Sequence, residues 1–116
     1  MNTTITDHNH VELVGRVSAV LPSRELPSGD EVSSFRLVVR RSRAARRGSR
    51  QTVDTFDCDA WTVAARKAVA RLDRGDVVRV EGHLRRQFSR GASGPVSRVT
   101  VDITSVRREP SIRSTS

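Results

Sequence analysis

Residues 53–84, VDTFDCDAWTVAARKAVARLDRGDVVRVEGHL, change their hydrophobic period twice. Up to Trp61 the period is two. Phe56, Cys58 and Ala60 share one face, and Thr55, Asp57, Asp59 and Trp61 the other, which predicts a strand with one buried side. From Thr62 the period lengthens: Ala65, Ala68, Val69 and Leu72 stand at i, i+3, i+4 and i+7, a single helical stripe. Gly75 is the expected C-terminal cap of that helix. Alternation then returns, with Val78, Val80 and Leu84 set around Gly82. The stretch is strand, helix, strand.

Upstream lie two further strands. In HVELVGRVSAVL, Val11, Leu13, Val17 and Ala19 share a parity, and Gly15 among them predicts a bend or bulge. PSRELPSGDE, with two prolines and a Ser-Gly pair, is a turn-rich connection. Residues 32–41 then place Phe35, Leu37 and Val39 inward and Ser34, Arg36, Val38 and Arg40 outward. Downstream of residue 84, RGASGP is a second turn-rich loop, and VSRVTVDITSV is a fifth strand burying Val99, Val101 and Ile103. Three strands, one helix and two strands are what a five-stranded Greek-key OB-fold barrel requires, giving an all-β class with one helix. A barrel with a differently placed helix fits the periodicity nearly as well. The expected organisation is a flexible start (1–8), one domain (9–107) and a disordered tail (108–116).

Charge narrows the function. The net charge is +8, and Lys67 is the only lysine among 21 basic residues. Seven arginines fall between Arg36 and Arg50 with no acidic residue among them. Like charges in one stretch repel and call for counterions or a polyanionic partner. The plainer reading is a solvated loop. No stretch approaches the roughly 20 apolar residues of a membrane span, and the polar N-terminus has no signal-peptide core. Cys58, the single cysteine, excludes an internal disulfide and suits a reducing, cytoplasmic compartment. No nucleophile–base pair or metal cluster is visible, so neither an enzyme nor a cofactor is expected. His8 and His10 lack further ligands nearby, and Asp57 and Asp59 are expected to pair with arginines on adjacent strands.

The segments NHVELVGRV (9–17), LPSGDEVSSFRLVVRR (26–41), FDCDAW (56–61), LDRGDVVRVEGHLR (72–85) and VTVDITSV (99–106) occur in this order. Together they resemble the bacterial single-stranded-DNA-binding protein family over about residues 9–107. The resemblance implies an OB-fold homo-oligomer, a tetramer ahead of a dimer. It also implies sequence-independent binding of single-stranded DNA in replication, recombination or repair, at the nucleoid. Such binding combines a basic groove on the phosphates with aromatic side chains stacked on bases. By the resemblance, Trp61 matches the aromatic closing the third strand on the DNA face, and Phe88 the aromatic at the base of the last hairpin. Arg36, Arg40, Arg41, Arg43, Arg46, Arg47 and Arg50 sit where the family's hairpin embraces the backbone. Arg79, Arg85, Arg86 and Arg90 are further candidate phosphate contacts.

Four features depart from the family pattern. Thr55 stands where an aromatic often faces DNA, and Arg43 stands in place of a hairpin aromatic. Phe88 follows Leu84 with one residue fewer than usual. The glycine-rich tail with its acidic tip is absent, which implies a short paralogue. With few aromatics and outward aspartates, a second reading stays open: an assembly module of a replication or recombination complex, with weak DNA or RNA binding.

Overall fold

A computed structural model describes residues 6–110. Residues 1–5 and 111–116, which hold most of the two terminal segments expected to be disordered, lie outside the described residues. The chain forms β1 (Val11–Val20), β2 (Arg24–Glu25), β3 (Glu31–Arg40), β4 (Val53–Ala60), α1 (Val63–Ala70), β5 (Val77–Gly91) and β6 (Gly94–Arg108). β1 pairs with β5 along its first half and with β3 along its second. The β3–β4 and β5–β6 pairs are antiparallel, and β4 runs parallel to β6, with Cys58 opposite Val101. These pairings close a five-stranded barrel, with two-residue β2 as an appendage on β3. No helix among the described residues is long and apolar enough to cross a membrane.

β1 serves two neighbours because it turns at the barrel's corner. The register shift lies between Val17 and Ala19, two residues beyond the glycine expected to mark it. Gly15 serves a different purpose. A Cβ there would run into the Val38 carbonyl, so glycine permits the close approach of β1 to β3. Inside, Phe35, Leu37, Cys58, Val78 and Val80 are fully buried. Burial, reinforced by the neighbouring Asp59 and Asp57 carboxylates, pushes the Cys58 thiol up to about 12. The thiolate is the reactive form, so a disulfide reagent at about pH 8 is expected to label Cys58 only on unfolding. Rapid labelling of the folded protein would contradict this packing.

α1 plugs the barrel with Ala65 and Val69. Its start is fixed by Thr62, whose Oγ1 accepts the Ala65 N–H at 3.1 Å. Its end differs from the expectation. The helix stops at Ala70, and the next turn tightens through Arg71 N–H to Ala68 O and Leu72 N–H to Val69 O. Leu72 stays buried, while Gly75 (φ 97) belongs to the following turn and donates to Val17 O.

The largest departure is the β5–β6 hairpin. The expected RGASGP loop shrinks to Ala92 and Ser93, because pairing runs on to Gly91 opposite Gly94. The hairpin therefore outruns the barrel. Beyond Gly82 and Val101 the inward parity no longer faces a core, so Leu84, on the alternating apolar face, and Val99, expected to be buried, are 43% and 45% exposed. Arg108 ends β6 and bonds Asp76, and Glu109 bonds Arg79.

Candidate nucleic-acid interface

The basic stretch lies on the β3–β4 hairpin, where it divides into two kinds of arginine. On the paired strands, the Arg36 Nε–H donates to Asp57 Oδ1 at 3.3 Å. Arg41 grips Asp54 through two bonds, Nε to Oδ2 at 3.0 Å and NH2 to Oδ1 at 2.6 Å. This bidentate bond raises the Arg41 pKa further and holds the Asp54 carboxyl below its ordinary range. Between the strands, Ala44–Arg46 form one 3-10 turn and Gly48 takes φ 72. Arg40, Arg43, Arg46, Arg47 and Arg50 have no carboxylate partner among the described residues, and all are exposed.

A second cluster forms where β4, β5 and β6 lie side by side. Trp61 Nε1–H donates to Asp102 Oδ1 at 3.1 Å. The Arg85 guanidinium carbon lies 5.2 Å from the Trp61 ring centroid, within cation–π range. The same guanidinium donates from Nε to Asp102 Oδ2 at 2.7 Å and reaches Asp59 Oδ2 at 3.6 Å. Asp59 also accepts from Ser34 Oγ–H at 2.7 Å and from Gln87 Nε2–H at 3.3 Å. Ser34, Asp59, Thr100 and Asp102 all stand on the outward parity yet are buried, because the network roofs itself with long side chains. Arg85 thus neutralises two buried carboxylates and props the indole. Trp61 also lines a groove of about 420 Å3 with Gly29, Asp30, Glu31 and Arg66.

The remaining candidates are dispersed. Arg79 is bound to Glu109 (2.8 Å) and Glu12 (3.1 Å) near the start of β5. Arg86 donates to Ser97 Oγ across the hairpin. Phe88 is 76% exposed and, with Arg90, lines a groove at the hairpin tip. The sequence reading passed over Asp102, Gln87, Thr100, Arg24 and Arg98. Asp102 alone carried a usable signal, a lone carboxylate amid the valines of the last strand. No group of three or more His, Cys, Asp or Glu among the described residues is placed to hold a metal ion.

The model of the Single-strand binding protein family matches residues 8–109. A Bacillus cereus single-stranded DNA-binding protein is 33% identical over 86 residues, covering 74% of this chain and 50% of the relative. A counterpart from Oceanobacillus iheyensis is 29% identical over 92 residues, covering 79% and 56%. The chain thus spans about half the length of the curated relatives it matches. Among solved structures, a Plasmodium falciparum SSB in complex with ssDNA superposes with TM-score 0.71 at 18% identity, covering 90% of this chain and 96% of that one. A small single-stranded DNA-binding protein from Streptomyces coelicolor gives 0.67 at 22%, covering 90% and 97%. At these identities the structural likeness concerns the fold.

Proposed function

The chain belongs to the single-strand binding protein family, and from that premise we propose that it binds single-stranded DNA without catalysis, in replication, recombination or repair at the nucleoid. The observation that carries this reading is the division among the hairpin arginines. Arg40, Arg43, Arg46, Arg47 and Arg50 are exposed and free of carboxylates among the described residues, while Arg41 is held by Asp54. Free guanidiniums on a projecting hairpin suit phosphates. Trp61 and Phe88 supply ring faces for unpaired bases, a contact that tolerates any base.

Salt tests the arginine half. Five phosphates neutralised by the five free arginines give log K a slope near −3.5 against log salt, at about −0.7 per single-strand contact. Titration of oligo-dT, duplex DNA and RNA at several salt concentrations, followed by Trp61 fluorescence, reads this slope and the strand preference together. Replacing Arg43, Arg46 and Arg47 by alanine is expected to reduce the slope by about 2, whereas Arg41→Ala should change it far less. A slope near zero counts against phosphate tracking. Binding of a protein partner without any DNA response would instead favour the assembly-module reading, toward which the aspartates on the same face point.

We further propose a homo-oligomer, with a tetramer preferred over a dimer. Val14, Val20 and Val53 are each more than a third exposed. A shallow groove joins Val14, Gly15, Val38, Val53 and Val77 across the strands, with Arg16 and Arg40 also lining it, and its apolar part suits a second copy. Light scattering at micromolar concentration decides this, and a monomeric mass would rule it out.

A further inference from the structure

One groove on the same face is built unlike a surface indifferent to the base. It has a volume of about 470 Å3 and lies between the β1–β2 connection and strands β3, β4 and β6, within the roughly 300–1,000 Å3 of small-ligand sites. One side is apolar: Leu21, 41% exposed, and Pro22. Arg24, Arg36 and Arg98 contribute cationic lining. Two carboxylates also line it, and they differ. Asp59 is buried and occupied by Ser34, Gln87 and Arg85. Asp57 is one-third exposed; Oδ1 accepts a single long bond from Arg36, and Oδ2 lies 3.6 Å from Arg98, beyond hydrogen-bond length. A carboxylate offers about four lone-pair sites, so Asp57 keeps acceptor capacity on both oxygens beside an apolar wall.

We propose that this groove is a subsite for an unpaired guanine, with Asp57 as the residue that reads the base. The proposal rests on the single-strand reading above and deepens it. The chemistry separates the four bases. Guanine alone presents two adjacent donors, N1–H and the N2 amine, on its Watson–Crick edge, matching the two oxygens of a carboxylate. Cytosine and adenine offer one amine. Thymine offers N3–H between two carbonyls, which a carboxylate repels. That edge is accessible only in a single strand, while Leu21 and Pro22 receive the ring face and Arg24, with no carboxylate partner among the described residues, suits the phosphate.

The test compares d(TTG) and d(TTI) repeats and oligo-dT of equal length, in lithium buffer to suppress guanine quadruplexes. Inosine lacks only the N2 amine, so stacking is nearly matched. The wild-type protein is expected to prefer d(TTG) over d(TTI) by about fivefold or more, the lower end for a bidentate base contact. Asp57→Asn should reduce that ratio to near one and tighten binding of oligo-dT, because a carboxylate leaves the face. Equal wild-type affinity for d(TTG) and d(TTI) overturns the subsite. A preference that survives in folded Asp57→Asn overturns the role of Asp57. Binding to none of the oligonucleotides overturns the single-strand reading itself, so the two failures are distinct. The wild-type comparison needs no variant and stands however Asp57→Asn folds.

Discussion

Arg85→Met is expected to lower the unfolding free energy by about 2–3 kcal/mol and the melting temperature by on the order of 10 °C. Methionine keeps much of the stem and removes the charge. Asp59 and Asp102, 5% and 8% exposed, then lose the one cation they share. Removing one member of a buried ion cluster costs more than the cluster contributes, because the remaining charges stay desolvated. Two facts hold the figure below the upper end of that range. The Arg85 side chain is itself 38% exposed, and both carboxylates retain neutral donors in Ser34, Gln87 and Trp61.

The same reasoning predicts a rescue. Asp102 takes the shorter contact with Arg85, 2.7 Å against 3.6 Å for Asp59. Asp102→Asn in the Arg85→Met background should therefore recover at least half of the loss, giving a coupling energy of about 1–2 kcal/mol in a double-mutant cycle. Additive effects in denaturant unfolding would show that Arg85 does not act through Asp102.

The barrel was legible in the sequence because its strands are amphipathic and its helix is not in phase with them. Phe35, Leu37, Cys58, Ala60, Val78 and Val80 all lie where alternation puts them. Alternation failed where geometry, not pattern, decides burial. Leu84 and Val99 keep the inward parity on strands that have run past the barrel, and strand length beyond a rim leaves no mark on period. Ser34 and Thr100 failed in the opposite sense. They are outward and polar, yet covered by Gln87 and the Asp59 network.

The candidate interface was legible as charge but not as pairing. Spacing showed seven arginines in one run; which of them are spent on carboxylates depends on cross-strand register. Arg36 meets Asp57 because the two are Cα partners, and Arg41 meets Asp54 just beyond the Val39–Asp54 pair. Arg85 illustrates the limit best. In sequence it is one of several arginines on the fourth long strand. Only the neighbouring strands reveal that it is occupied by Asp59, Asp102 and the face of Trp61.

Trp61→Ala is expected to weaken binding of oligo-dT by about 1–3 kcal/mol while leaving the salt slope nearly unchanged, since stacking releases no counterions. The ring is well prepared for such a contact. Its Nε1–H is tied to Asp102 and the Arg85 guanidinium lies over it, so little side-chain entropy remains to be lost when a base stacks. The structural cost of the substitution must be separated from the functional one, because the indole also donates to a buried carboxylate. Trp61→Phe makes that separation: it removes the Nε1–H donor but keeps an aromatic face. If stacking carries the effect, folded Trp61→Phe retains most of the affinity and Trp61→Ala loses it. If the Asp102 bond carries it, both variants lose affinity alike and both melt lower. Phe88→Ala supplies the internal comparison, since Phe88 is 76% exposed and makes no bond whose loss would disturb the barrel. Unchanged oligo-dT binding in folded Trp61→Ala would remove stacking at this position and leave the interface with its free arginines alone.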